Sequence, residues 1–245
     1  SIDNIQAASM LILERGVLFK QAAGAFDKKN ADETEAKEDT DSENAVLEQA
    51  DQFVENLKDA NQASTSYQEI IREANKAVEN MLYAAPNSQI DVKAAKALYK
   101  GLSLAGNLAR EENYEVPMNI KGEITSVNLK ICHNASQAGK VAVTLDTENL
   151  GKIAAEFDVA QDRVSGMVVY ENQAQKPELE QLEQMINKEL SADGTKQVAV
   201  SFVHAKSVDL NKFGQNMRTT QKDEKLSTAE LYQTAKSFLT ALKSL

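Results

Sequence analysis

The sequence predicts an α+β protein, with an N-terminal helical region, a mostly antiparallel β-sheet covered by one helix, and a C-terminal helix. Apolar residues recur every three to four positions before Pro117 and every second position over most of the segment after it. The chain of 245 residues contains only 10 Gly and 3 Pro, which disfavours a turn-rich all-β fold. We therefore divide it into residues 1–115, 116–213 and 214–245.

The first region has four apolar stripes with helical spacing, within residues 2–18, 46–57, 67–82 and 92–108. Pro86 ends the third predicted helix, and Asp91 suits the start of the fourth.

The first two helices are separated by an acidic segment, residues 27–44, which holds eight acidic residues, three lysines and no large apolar residue. Such a segment has little to bury that would offset its ordering entropy. We predict a disordered loop there.

The second region alternates apolar and polar residues, which predicts antiparallel strands with one buried face. Four strands precede a helix and one follows it, in the order β-β-β-β-α-β. The strands fall within residues 126–131, 141–145, 153–159, 164–170 and 198–202. Pro177 suits the first turn of the helix, whose leucine stripe ends near Leu190. This helix can cover one face of the sheet.

The third region is a polar linker followed by a helix that opens on the capping-box pattern Ser227-Thr228-Ala229-Glu230. This helix carries a wide apolar surface and is the candidate interaction helix. Its residues are Leu231, Tyr232, Phe238, Leu239 and Leu242. It either contacts a partner or packs on the rest of the chain. The second reading is favoured because so wide a bare stripe tends to become covered.

The charge distribution disfavours several classes of partner. The net charge is −10, with −9 in residues 1–115 and −1 in residues 116–245. An acidic chain without a basic stripe repels nucleic acid and anionic membranes. No apolar run approaches the roughly 18 residues that a transmembrane helix needs. We expect neither nucleic-acid binding nor membrane insertion.

The candidate chemical groups do not form a recognisable catalytic pattern. Cys132 and His133 are neighbours on a predicted strand and therefore point to opposite faces. His204 continues the apolar face of the last strand, where a rim position is usual for histidine. Glycine-rich phosphate loops and Cys-based metal sites are absent from the sequence. We predict no catalytic residue, no metal site and no cofactor.

Residues 120–210 resemble the C-terminal domain of flagellar hook-length control proteins. The resemblance lies in the strand Val127–Ile131, a short loop, and an alternating strand that begins with a glycine. The positions carried over are Gly139, Val141, Val143 and Leu145. The chain departs from the family in residues 134–138, where the family has Pro and then Leu, and in an additional strand at residues 164–170.

The resemblance implies a non-enzymatic protein of the flagellar type III export apparatus. Its expected partner is the cytoplasmic domain of the export gate, where it would help to control hook length or substrate switching. It is expected in the cytoplasm, with passage through the export pathway, and Ser1–Asn4 lack the basic start of a signal peptide.

Two alternatives stay open. A ligand-binding or cell-surface module would have a deep apolar pocket. A hydrolase would need a buried carboxylate, or His133 or His204 with a shifted pKa.

Overall fold

A computed structural model describes residues 33–84, 92–134, 139–192, 194, 196–214, 217 and 229–245. The first predicted helix, within residues 2–18, lies outside these ranges. The helices of the described residues are α1 (Glu33–Glu55), α2 (Ala60–Ala84), α3 (Val92–Ala109), α4 (Lys176–Leu190) and α5 (Ala229–Lys243). The strands are β1 (Asn113–Ile120), β2 (Glu123–His133), β3 (Gly139–Thr147), β4 (Gly151–Val159), β5 (Arg163–Tyr170) and β6 (Gln197–His204).

The six strands form one sheet in the order β1-β2-β3-β4-β5-β6. The first five strands pair antiparallel with their sequence neighbours. Strand β6 pairs parallel with β5, because helix α4 carries the chain back to the same end of the sheet. The predicted α+β class, with a mostly antiparallel sheet, a covering helix and a C-terminal helix, is confirmed.

The prediction missed strand β1, which crosses the proposed boundary between residues 115 and 116. Pro117, read as a division of the chain, lies inside this edge strand. The Tyr67 hydroxyl donates to the Glu115 carbonyl oxygen at 2.8 Å and accepts from the Glu115 N–H at 3.2 Å. The backbone groups of Glu115 therefore point away from β2, and so does the Pro117 nitrogen two residues later. A proline is tolerated there because no ladder hydrogen bond is lost.

Helices and sheet share one core, so the three-part division does not follow the packing. Helices α1 and α3 contact β1, helix α5 contacts β1 to β4, and helix α4 contacts β6 and α5. One continuous cluster of buried apolar residues runs from Ala50 in α1 to Leu242 in α5. All five α-helices lie in contact with this cluster or with each other.

The disordered loop predicted for residues 27–44 is wrong for residues 33–44, which are helical because α1 begins at Glu33. Residues 27–32 lie outside the described ranges. Half of residues 33–44 are Glu, Ala or Lys, which are strong helix formers. These residues continue α1 at its amino end. A helix that is already formed over its apolar part can extend into such a polar segment.

The predicted polar linker also makes ordered contacts. Beyond β6, the chain crosses the face of the sheet opposite the helices. The Gly214 N–H donates to a Glu156 carboxylate oxygen at 3.0 Å, and the Lys130 ammonium donates to the Gly214 carbonyl oxygen at 2.6 Å. Met217 packs on Cys132 and Ala142. This segment covers the middle of that face over β2, β3 and β4.

None of the described helices is long and apolar enough to cross a membrane.

Candidate functional site

The candidate interaction helix is buried inside the protein, which agrees with the favoured reading that it packs on the rest of the chain and leaves its apolar stripe no surface for a partner. Leu231, Tyr232, Phe238, Leu239 and Leu242 are all at most 5 % exposed. The Phe238 ring packs edge-on against Phe157 of β4, with centroids 5.2 Å apart. The apolar stripe of α5 packs on β1 to β4 and buries the apolar side chains on that face of the sheet.

The positions carried over from the hook-length control resemblance lie in β3. Val141, Val143 and Leu145 belong to the core that α5 covers. Gly139 is the first residue of the strand and lies directly beneath Leu231. A Cβ at Gly139 would come within 2.6 Å of both Leu231 methyl carbons and 2.9 Å of the Cys132 carbonyl oxygen. Glycine is needed there because the helix approaches the strand closely.

We expect Gly139→Ala to lower the free energy of unfolding by about 1–3 kcal/mol, through overpacking against Leu231 and the Cys132 carbonyl. Urea denaturation measures this change. Gly106→Ala in α3 is the control, because a Cβ there meets nothing nearer than the Gln68 amide nitrogen at 4.0 Å and the helical backbone accepts alanine. Combining Gly139→Ala with Leu231→Ala should cost less than the two single changes added together, and additive losses would contradict this explanation.

Cys132 and His133 point to opposite faces of β2, as predicted. Cys132 lies in the small cluster with Ala142 and Met217. His133 lies at the rim of the helix-covered face, and its Nε2 is 2.8 Å and 2.7 Å from the two carboxylate oxygens of Glu112. Both side chains are about nine-tenths buried, with 11 % and 10 % exposed. Nε2 therefore carries the hydrogen that this contact shares.

Two tyrosines extend this pair into a buried cluster, here called the Glu112 cluster: Glu112, His133, Tyr114 and Tyr232. The Tyr232 hydroxyl donates to Glu112 Oε1 at 2.6 Å. The Tyr114 hydroxyl lies 3.5 Å from the Tyr232 oxygen and acts as donor, because the Tyr232 proton is already directed to Glu112. The cluster joins β1, β2 and α5 through residues as much as 120 positions apart.

Both hydroxyls of the Glu112 cluster stay protonated at neutral pH. Burial raises the pKa of Tyr114 to about 12. Burial also raises the pKa of Tyr232 far above its usual range, and the neighbouring Tyr114 and Glu112 raise it further. The tyrosines are therefore hydrogen-bond donors here and do not act as bases.

Glu112 itself has an uncommon backbone conformation, with φ of 54°. It ends the turn between α3 and β1, where its N–H donates to the Ala109 carbonyl oxygen and its carbonyl accepts from the Ile131 N–H. A left-handed residue other than glycine costs roughly 1–2 kcal/mol. The hydrogen bonds of the Glu112 cluster offset this cost, which explains why a glutamate occupies a position suited to glycine.

This arrangement is suited to holding α5 on the sheet. The Glu112 carboxylate accepts hydrogen bonds from both His133 on β2 and Tyr232 on α5, and so links the helix to the sheet. Among the described residues, no group of three or more His, Cys, Asp or Glu side chains is placed to hold a metal ion. His204 does not join the cluster; it lies on the edge strand β6, where its Nε2 is 3.2 Å from the Glu171 carbonyl oxygen.

A shallow groove runs along the outer side of α2 and encloses about 340 Å³. One apolar side chain and five polar ones line it: Gln68, Ile71, Arg72, Asn75, Lys76 and Glu79. This lining differs from the deep apolar pocket expected of a small-ligand module.

An apolar patch lies on the face of the sheet opposite the helices, at its β5–β6 end. Met167 and Val203 are 46 % and 44 % exposed, although both belong to strands. Val169 is paired with Val203 and is half-buried between them. We call Met167, Val169 and Val203 the β5–β6 patch. Sequence alternation placed Val168 and Tyr170 on the buried face. The apolar Met167 and Val169 at the intervening positions were the signal that the other face is also apolar at this end.

No family model, curated protein or solved structure matches this chain.

Proposed function

We propose that this chain is a non-enzymatic protein-binding module that presents the β5–β6 end of its sheet to a protein partner. The first partner to test is the cytoplasmic domain of the flagellar export gate. In that setting the protein would act from the cytoplasm, with passage through the type III pathway, in hook-length control or substrate switching. The export assignment rests on the resemblance carried by Gly139, Val141, Val143 and Leu145.

The observation that carries the binding role is the β5–β6 patch. Large apolar side chains that are nearly half exposed on adjacent strands are typical of an interaction surface. The segment through Gly214 and Met217 packs on the middle of this face, and the patch lies to one side of that segment. The polar groups of the Glu112 cluster, by contrast, are directed at one another and hold α5 in place.

A pull-down with the isolated export-gate domain tests this proposal. We expect Met167→Lys and Val203→Lys each to weaken binding about ten-fold or more, because a charge replaces apolar contact at the centre of the interface. Met185→Lys is the matched control, since Met185 on α4 is 43 % exposed and lies outside the patch. Failure to capture the wild-type chain, or equal weakening by Met185→Lys, would contradict the proposal.

A further inference from the structure

Strand β6 is an edge strand with little protection against pairing. Its sequence, Gln-Val-Ala-Val-Ser-Phe-Val-His, contains no charged residue and no proline over 8 residues. Natural proteins usually guard such an edge with lysine, proline, a bulge or a covering element. At the other edge, β1 has Pro117, the Tyr67 hydroxyl bound to Glu115, and helices α1 and α3 packed against it.

The backbone groups on the open side of β6 can be assigned from its hydrogen bonds. The Gln197 N–H donates to the Asp162 carbonyl oxygen at 2.8 Å, and the Ala205 N–H donates to that of Tyr170 at 2.9 Å. Odd-numbered residues therefore bond to β5, and the even-numbered residues point outward. These are Val198, Val200, Phe202 and His204.

Among the outward-pointing residues, Val200 is already bonded by a side chain. The Asn187 amide of α4 accepts from the Val200 N–H and donates to the Val200 carbonyl oxygen, both at 3.1 Å. This pair of bonds imitates one residue of an added strand. Within the described part of the chain, no hydrogen bond reaches the outward N–H of Val198 or Phe202.

We propose that the open edge of β6 receives an extended, basic segment of a protein partner as a seventh strand. Strand addition takes its affinity from main-chain hydrogen bonds and its selectivity from alternate side chains. Every second side chain of the added strand would continue the β5–β6 patch. The inference rests on the proposed binding function but does not depend on the identity of the export gate.

The two glutamates of α4 beside the edge favour a basic segment as the occupant there, while Lys196 and Lys206 lie beyond the two ends of β6. Glu180 and Glu183 precede Asn187 by seven and four residues, so the three side chains share one face of α4. Glu183 forms no ion pair within the described residues, whereas Glu180 pairs with Lys176 at 3.5 Å. A second copy of this chain is disfavoured, because its net charge of −10 repels another copy.

The test uses a synthetic ten-residue peptide of alternating Val and Thr with three Lys residues. Its controls are a peptide of the same composition with proline at two alternate positions, and an analogue with Glu in place of Lys. Amide exchange is followed by NMR on the full chain. We expect the amides of Val198 and Phe202 to exchange about ten-fold more slowly with the basic peptide, while those of Ala199 and Ser201 stay protected throughout.

Asn187→Ala should tighten binding of the basic peptide several-fold, because the Asn187 amide competes for the Val200 backbone. Gln184→Ala, at an exposed site one turn away, should leave binding unchanged. The wild-type exchange experiment stands even if Asn187→Ala fails to fold. Protection confined to residues outside β6, equal binding of the proline peptide, or no binding of the basic peptide would overturn the inference. Protection of Val198 and Phe202 would support it even if the export-gate domain is not captured, an outcome that counts only against the export assignment.

Discussion

Replacing Glu112 by alanine is expected to lower the free energy of unfolding by about 2–5 kcal/mol, because two buried donors lose their acceptor. The change leaves the buried His133 ring and the Tyr232 hydroxyl without the acceptor that both now use at 2.6–2.8 Å. A buried donor left without an acceptor costs about 1–3 kcal/mol, and this change affects two donors. Urea denaturation followed by circular dichroism measures the loss, provided that the slope of the transition stays constant.

Two further variants separate the causes of this loss. Glu111→Ala, at the exposed preceding position, should change stability by less than about 0.5 kcal/mol. Glu112→Gly should be more stable than Glu112→Ala by roughly 1 kcal/mol, because glycine accepts the φ of 54° at no steric cost. Equal stability of Glu111→Ala and Glu112→Ala would show that the Glu112 cluster does not hold the fold together.

Replacing Phe238 by alanine should lower the free energy of unfolding by about 3–5 kcal/mol. Phe238 is fully buried on α5 and packs against Phe157, so its loss removes both apolar burial and an aromatic contact. The expected cavity lies between helix and sheet, at the centre of the shared core. Thermal or urea unfolding measures the effect.

The control on the same helix is Gln233→Ala, at an exposed position where alanine is a good helix former. It should stay within about 0.5 kcal/mol of the parent chain. A loss for Phe238→Ala as small as this would mean that α5 detaches easily from the sheet. The helix would then become available to a partner again.

The regular elements were predictable where one face is buried and the other is wet. Alternation located β2 to β6, and the leucine stripe located α4, since each presents a single buried side. Strand β1 was not predicted, because six of its eight residues are buried and its sequence therefore does not alternate. Pro117 also suggested a break in the chain at this point. Only the tertiary position at a covered sheet edge explains both features.

The Glu112 cluster could not have been predicted from local sequence. Glu112 is one of three acids near the end of α3, and nothing in its neighbours indicates a contact with Tyr232, 120 positions away. His133 was identified as a candidate, but its partner was not. Likewise, the apolar width of α5 was evident from the sequence, while its burial depended on the uncovered face of β1 to β4.

The edge position of β6 was also beyond prediction. The sequence shows that β6 lacks charge, but edge position follows from strand order, which depends on the parallel return through α4. Exposure of Met167 and Val203 also depends on where the segment through Gly214 packs, since its contacts with Lys130 and Glu156 hold it over β2 to β4.

The central claim is that a protein partner binds at the β5–β6 end of the sheet while α5 stays part of the core. The most direct test is an NMR titration of the full chain with the cytoplasmic domain of the export gate. We predict that the largest shift changes fall on Met167, Val169 and Val203, with the buried residues of α5 unaffected. Chemical-shift changes centred on Leu231, Phe238 and Leu242, with no change in the β5–β6 patch, would contradict the account.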